Sequence, residues 1–244
     1  MLDDNIFLVT SYNCEAYITH CIESILNQTS KNYNVLFIDD CSTDQTVKRI
    51  KEYQSVLRNS RLFIGKKRTM SAAWNQAQVV KNVVKNPNSN IMILDADDKL
   101  ASNDSLQELL RSGLLNHNCG TTAFRDPFNT YSPDKLRKCL CPYHMRFFKA
   151  WLYHAVPNEA YYKDGELIKA ASDYAFIKAV EDGLNSELPI FGQKLYYWNS
   201  NLSHNDHWLR RKEQEENTVY IQSRESYPVW SESDIKKYKS LVIN

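Results

Sequence analysis

Short apolar runs alternate with amphipathic stretches through the first hundred residues of this chain. Continuous apolar segments at residues 6–9, 35–38 and 91–94 are typical of strands that are buried on both faces of a parallel sheet, and Arg61-Leu62-Phe63-Ile64 is predicted as a further strand. Between them apolar positions recur with helical spacing, first at Ile18, Cys21, Ile22, Ile25 and Leu26. The alternation predicts an α/β fold in which helices cover a mainly parallel central sheet.

The second half of the chain is less regular but still carries element signals. These predict a strand over residues 119–124, an aromatic-rich helix around residues 143–153, a helix over residues 172–183 that Gly183 ends, and a strand over residues 188–198. From about residue 205 onward the sequence is charged and helical in pattern.

Two loop segments carry signals for helix N-termini. Asn13 is predicted to cap the first helix, and Ser42-Thr43-Asp44-Gln45 predicts a capping box for the second. Both segments directly follow predicted strands.

Composition narrows the class of protein. The 244 residues are 43% hydrophobic and 24% charged, and the net charge of +1 gives no electrostatic reason to bind nucleic acid. No apolar run approaches the ~20 residues needed to span a bilayer, and the acidic N-terminus is not a signal peptide. We therefore expect a cytoplasmic protein with no transmembrane segment and six reduced, structural cysteines. Peripheral membrane association and oligomerisation stay open.

Polar residues follow each of the four predicted strands, and the richest group follows the fourth. Asp95, Asp97 and Asp98 crowd its C-terminal end. At an effective dielectric near 20, two carboxylates about 4 Å apart repel by about 4 kcal/mol, so such a cluster favours a bound cation. Oxygen ligands favour Mg²⁺ or Mn²⁺. A solvated loop that caps the next helix is the alternative. Because ligands of parallel sheets bind at the carboxyl ends of the strands, convergence of these loops favours a binding site.

Four separate blocks follow in a characteristic order: Thr10-Ser11-Tyr12-Asn13, Ile25-Leu26-Asn27-Gln28-Thr29, Ile38-Asp39-Asp40-Cys41-Ser42-Thr43-Asp44 and Leu94-Asp95-Ala96-Asp97-Asp98. Together they resemble family 2 glycosyltransferases with the GT-A fold, a Rossmann-like three-layer α/β/α sandwich. The resemblance implies one GT-A domain over residues 1–205. Its nucleotide-sugar-binding half is residues 1–100, its acceptor-binding half is residues 101–205, and a helical extension covers residues 206–244.

The resemblance also implies roles for single residues. Thr10, Tyr12 and Asp40 would hold the nucleotide base, with Tyr12 stacking on the ring and Asp40 accepting its imide N–H. Asp95 would contact the ribose, and Arg68 the phosphates. The proposed metal ligands are Asp97, Asp98 and His204, although the motif leaves open whether Asp98 ligates or only orients. Asp39 is expected to support its own turn.

The implied reaction moves one sugar from a nucleotide-sugar donor to an acceptor hydroxyl of unidentified origin. The donor is UDP-linked by preference because Asp40 suits uracil, although thymine presents the same edge to the carboxylate. Asp173 would be the general base, at the position where this family places that group; its alternative role is to complement the dipole of its helix. One base with no nucleophile opposite it implies direct displacement and an inverted product.

Two departures from the family pattern matter. Cys41 replaces the usual glycine after the acidic pair, so we expect its turn not to need a positive φ. The Gln-x-x-Arg-Trp motif of processive synthases is absent, which favours transfer of single sugars. The alternatives are a sugar-nucleotide nucleotidyltransferase, a receiver-type signalling domain and a non-catalytic nucleotide-sugar-binding domain. The first would carry a glycine-rich loop after the first strand, and the second needs about half this length.

Overall fold

The computed structural model describes residues 4–57, 59–125, 144–200 and 209–243. The chain forms two compact units that are interleaved along the sequence. The first unit comprises residues 1–68, 89–149 and 189–200, and the second comprises residues 69–88, 150–188 and 201–244. The domain boundary at residue 205 stays a prediction.

The first unit is built on an eight-stranded sheet. In chain order its strands are β1 (Asn5–Ser11), β2 (Asn34–Asp39), β3 (Ser60–Ile64), β4 (Asn90–Asp95), β5 (Lys99–Leu100), β6 (Cys119–Arg125), β7 (Arg146–Lys149) and β10 (Ile190–Tyr197). Their spatial order is β3-β2-β1-β4-β7-β6-β10-β5. Strands β3, β2, β1 and β4 pair in parallel, and β7 is antiparallel to both β4 and β6. The four strands predicted in the first hundred residues are confirmed, and each extends beyond its apolar run.

Helices α1 (Ile18–Leu26), α2 (Thr46–Tyr53) and α4 (Ser105–Arg111) belong to the same unit, followed by a 3₁₀ turn at Leu114–Asn116. The apolar face of α1 joins a buried core with β1 side chains such as Phe7 and Val9. Burying one such side chain contributes about 1.5–3 kcal/mol. The buried Gln28 links α1 to α4, because its Nε2 donates to the carbonyl of Ser102 and its Oε1 accepts from the amide of Leu106.

The aromatic segment before residue 153 departs from the prediction. Residues 146–149 form β7, and only Ala150–Ala155 is helical, as α5. Phe147 and Phe148 pair with Met92 and Ile91 of β4 and also face β6. An aromatic run is well suited to an interior strand that neighbours cover on both sides, and tertiary pairing overrides its helical spacing.

The second unit is mainly helical. It contains α3 (Ala72–Val83), α5, α6 (Ser172–Leu184), α7 (Arg211–Ser223) and α8 (Glu232–Ile243), with a 3₁₀ turn at Asn158–Tyr161 and a hairpin of β8 (Tyr162–Lys163) and β9 (Glu166–Leu167). Helices α7 and α8 lie in the charged segment with the predicted helical pattern. Within the described ranges, no helix combines the length and the apolar character required to cross a bilayer.

Gly183 does not end α6, contrary to the prediction. The helix continues to Leu184, and Asn185, with φ of 50°, caps it. Gly183 is required for packing instead, because a Cβ at this position would lie 2.2 Å from a ring atom of Trp230. The amide of Trp230 also donates to the carbonyl of Gly183 at 2.7 Å.

We expect Gly183→Ala to lower the free energy of unfolding by roughly 1–3 kcal/mol, since the added methyl displaces the Trp230 ring. Thermal unfolding measures the effect. Gly192→Ala is the matched control, because nothing lies within 4 Å of a Cβ built there. Equal melting temperatures for the two variants would contradict this packing role.

Candidate active site

The carboxyl ends of β1, β2 and β4 lie side by side. Thr10 is in register with Asp95 of β4, and Ser11 with Asp39 of β2. The Thr10 hydroxyl donates to Asp95 Oδ1 at 3.4 Å, and the amide of Asp40 donates to the Ser11 carbonyl at 2.9 Å. Three residues expected to bind the donor, Thr10, Asp40 and Asp95, are therefore neighbours at one edge of the sheet.

Tyr12 and Arg68 also meet in the first unit. The guanidinium carbon of Arg68 lies 3.4 Å from the centroid of the Tyr12 ring, a cation–π arrangement. Tyr12 is half-buried and Arg68 is exposed. The structure therefore places the residue expected for the base directly beside the one expected for the phosphates.

The loops after β1 and β2 are hydrogen-bonded to each other. Asn13 Oδ1 accepts from the amide of Thr43 at 2.8 Å, and the amide of Asn13 donates to Ser42 Oγ at 2.9 Å. The predicted Asn13 cap and the capping box are both wrong, since α1 and α2 begin without a side-chain cap. Ser42 instead donates through its amide and hydroxyl to the buried Asp39 carboxylate. Asp39 thus supports its turn, as expected.

A second group of hydrogen bonds also connects the loops after β1 and β2. Asp44 accepts from the amides of Glu15 and Thr46, each at 3.0 Å, and Thr46 Oγ1 accepts from the amide of Cys14 at 2.8 Å. Partial burial opposes ionisation of Asp44, but these hydrogen bonds outweigh it and lower the pKa of the carboxyl. The charged form of Asp44 therefore helps to hold both loops.

The turn at Cys41 has a positive φ, contrary to the expectation from the sequence. Cys41 has φ of 67°, so the turn keeps the left-handed conformation that a glycine would adopt easily. Its Sγ lies 3.0 Å from the carbonyl oxygen of Gly65, at the end of β3.

The carboxylate cluster, formed by Asp95, Asp97 and Asp98, is contacted by residues that are distant in the sequence. Asp98 is 5% exposed; Tyr196 Oη donates to its Oδ2 at 2.6 Å and the amide of Asn199 donates to its Oδ1 at 2.7 Å. Burial, followed by the charges of Asp97 and Asp95, raises the pKa of Asp98 well above the ordinary value. Asp98 is therefore buried, and its hydrogen bonds connect the end of β4 to Tyr196 of β10 and to Asn199.

Two residues at the start of β7 face Asp95. His144 Nδ1 lies 3.7 Å from Asp95 Oδ2, and Arg146 Nη2 lies 3.9 Å from the same oxygen. The His144 ring stacks on Tyr196 with a centroid distance of 4.8 Å and an interplanar angle of 16°. One potential donor atom from each of Asp95, Asp98 and His144 lies within 4.8 Å of the other two. Two carboxylates and an imidazole are a donor set that accommodates Mn²⁺.

The two thiols near the cluster are buried. Burial and the charge of Asp97 raise the pKa of Cys14 to about 12, and burial raises the pKa of Cys21 as well. Both are buried, and the structural role expected for them is confirmed. Cys139 and Cys141 lie outside the described residues.

The remaining expected site residues are placed as follows. Asp97 is half-buried and its carbonyl accepts from Asn199 Nδ2 at 3.4 Å, but its carboxylate is not in the donor group that the described residues form; its role as a ligand stays a prediction. Asp173 lies in the second unit, in the first turn of α6. His204 lies outside the described residues.

Sequence reasoning assigned no role to four residues that contact the cluster: His144, Arg146, Tyr196 and Asn199. His144 and Arg146, two positions apart, would have indicated the site if residues 146–149 had been recognised as a strand. No local pattern marks Tyr196 or Asn199, which lie about a hundred positions from Asp98 in the chain.

A family model described as Glycosyl transferase family 2 matches residues 6–159. The teichoic acid poly(glycerol phosphate) polymerase of Staphylococcus epidermidis is 38% identical over 99 residues, which are 39% of this chain and 13% of that protein. The chondroitin synthase of Escherichia coli is 28% identical over 155 residues, 59% of this chain and 22% of that protein. The chain thus spans less than a quarter of the length of either relative.

Solved structures share the fold. TarS residues 1–349 of S. aureus, in complex with UDP-GlcNAc, superpose with a TM-score of 0.64 at 17% identity, covering 98% of this chain and 71% of that one. The mannosyltransferase PcManGT of Pyrobaculum calidifontis, in complex with GDP-Man and Mn²⁺, gives a TM-score of 0.66 at 14% identity, covering 100% and 70%. The predicted GT-A-type α/β fold with a mainly parallel sheet is confirmed.

We expect Asp98→Asn to flatten the pH dependence of stability in metal-free protein. Because the folded-state pKa of Asp98 is raised, the stabilisation from its neutral form is complete below the unfolded value, near 3.8, and is lost as pH rises through the folded value. Thermal unfolding in EDTA between about pH 4 and pH 8 measures this. The wild type should lose stability relative to Asp98→Asn as pH rises, whereas the exposed control Asp104→Asn should follow the wild type. Parallel curves for wild type and Asp98→Asn would refute the assignment.

Proposed function

The chain belongs to glycosyl transferase family 2, and on this premise we propose that it transfers a single sugar from a nucleotide-sugar donor to an acceptor hydroxyl. The observation that carries the proposal is the meeting of Thr10, Asp40 and Asp95 at one edge of the sheet, beside Tyr12 and Arg68. This edge is where ligands of parallel α/β sheets bind. Thr10 and Asp40 would hold the base, and Asp95 the ribose.

The donor is proposed to be a UDP-sugar. Tyr12 and Asp40 lie in two loops that are hydrogen-bonded to each other, and the amide of Asp40 donates to the carbonyl of Ser11, next to Tyr12. A pyrimidine would stack on the Tyr12 ring while its imide N–H donates to the Asp40 carboxylate. TarS, which shares the fold, was solved with UDP-GlcNAc, whereas PcManGT was solved with GDP-Man. The preference for uracil therefore rests on Asp40.

A divalent cation, Mn²⁺ or Mg²⁺, is proposed at the carboxylate cluster. Asp95, Asp98 and His144 supply two oxygens and one nitrogen, which favours Mn²⁺ between the two, and Asp97 is proposed as a further ligand from its motif. When bound, such an ion acts as a Lewis acid that stabilises the departing diphosphate. Tyr196 and Asn199 would keep Asp98 oriented toward it.

Asp173 is proposed as the general base that takes the proton of the acceptor hydroxyl. It is the second residue of α6, and Ala171, which precedes the helix, has φ of 64°. A left-handed alanine is a strained conformation, and such strain is concentrated at functional positions. With one base and no nucleophile assigned opposite it, the reaction is a single displacement that inverts the anomeric centre.

We expect Asp97→Ala to weaken Mn²⁺-dependent binding of UDP by more than about tenfold, because a ligand is lost. Isothermal titration calorimetry with and without Mn²⁺ measures this. The exposed Asp104→Ala is the control and should bind like the wild type. Unchanged Mn²⁺-dependent binding by Asp97→Ala would remove Asp97 from the metal site.

Asp173→Asn should lower turnover by about 10²- to 10⁴-fold while donor binding is unchanged, since only proton removal is lost. Turnover is measured as release of the nucleoside diphosphate from a panel of UDP-sugars and sugar acceptors. Asp164→Asn, an exposed turn residue of the same unit, is the control. Full activity of Asp173→Asn would refute the base assignment, and a product with retained configuration would refute inversion.

A further inference from the structure

A buried cation faces the carboxylate cluster. Arg146 is the first residue of β7, and its side chain is only 7% exposed. Its Nη2 lies 3.9 Å from Asp95 Oδ2, and that carboxylate is 30% exposed. A guanidinium stays charged at every physiological pH, so it is not buried at this position without a compensating negative charge.

Arg146 and His144 approach the same carboxylate oxygen but differ in what they offer. An imidazole nitrogen can ligate a metal, and His144 is a member of the candidate donor group. A guanidinium has five donors and no acceptor, so Arg146 cannot be a ligand. Its contribution to the site is positive charge.

The position of that charge is informative. The three carboxylates of the cluster repel one another, and the field of Asp95 and Asp97 contributes to the raised pKa of Asp98. A fixed cation beside Asp95 offsets part of this repulsion in the absence of metal. The strand that carries it pairs directly with β4, so the cation is held by the sheet itself.

We propose that Arg146 is a positioning residue that acts as the resident counter-ion of the carboxylate cluster. It holds Asp95 in place before a divalent cation binds, and its charge weakens binding of that cation to the donor-free protein. The effect of Arg146 on cation binding rests on the metal site of the proposed function. The diphosphate of a donor would then bring the negative charge that makes cation binding strong.

The first experiment tests the charge pair by thermal unfolding in EDTA. Arg146→Met should lower the melting temperature by roughly 6–12 °C, and Arg146→Lys should retain most of the stability. Adding Asp95→Asn to Arg146→Met should recover part of the loss, because the uncompensated carboxylate is removed. Arg125→Met, which removes an exposed arginine of the same sheet, is the matched control.

The second experiment measures Mn²⁺ binding by calorimetry without any donor. Arg146→Met should bind Mn²⁺ about tenfold more tightly than the wild type, because the positive charge 3.9 Å from the candidate ligand oxygen Asp95 Oδ2 is gone. Arg146→Lys should resemble the wild type. A role in packing alone would lower the melting temperature without strengthening Mn²⁺ binding.

The inference is overturned if Met and Lys at position 146 are equally destabilising, if Asp95→Asn recovers nothing, or if Arg146→Met binds Mn²⁺ no more tightly than the wild type. None of these measurements requires sugar transfer. Absence of transfer activity with a positive unfolding cycle would therefore count against the proposed function and not against the Arg146–Asp95 pair.

Discussion

Electrostatic repulsion between carboxylates at the end of β4 is the constraint on which the site depends. The parallel register of β1, β2 and β4 brings polar strand ends together whatever their charge. Neighbouring residues offset the repulsion between the carboxylates. Tyr196 and Asn199 donate to the buried Asp98, whose raised pKa favours its neutral form, and Arg146 approaches Asp95. Strands β7 and β10 of the same sheet, with Asn199 just after β10, supply these partners, so the sheet itself places them beside the carboxylates.

The nucleotide side of the site is organised by a different interaction. The loops after β1 and β2 hydrogen-bond to each other through Asn13, Ser42, Thr43 and Asp44. Cross-bonded loops have few accessible conformations, so Tyr12 and Asp40 are held before a ligand arrives. Preorganisation of this kind lowers the entropic cost of binding. Asn13, Ser42 and Thr43, which indicate helix caps in the sequence, connect the two loops instead. Asp44 accepts both from the other loop and from the first residue of α2.

Several elements follow from sequence pattern because their cause is local. The apolar runs of β1, β2 and β4 and the stripe of α1 need only a core to cover them, and they form where the pattern predicts. Strand β3 also forms where it is predicted, although its side chains are exposed or half-buried. Other elements are decided by partners distant in the chain. Residues 146–149 become a strand because β4 and β6 lie on either side, and Gly183 is needed by Trp230 rather than by the end of its helix.

Local pattern in the amino-acid sequence was sufficient to predict the fold class, the family and the strand ends at which ligands bind, because apolar periodicity and short motifs encode local structure and burial. It did not determine which residues surround the carboxylates. His144, Arg146, Tyr196 and Asn199 reach Asp95 and Asp98 across tens to about a hundred positions of chain, through the antiparallel pairing of β7 and the placement of β10. Only the tertiary structure decides such contacts, since strand order and register carry no local signature in the residues that they bring together.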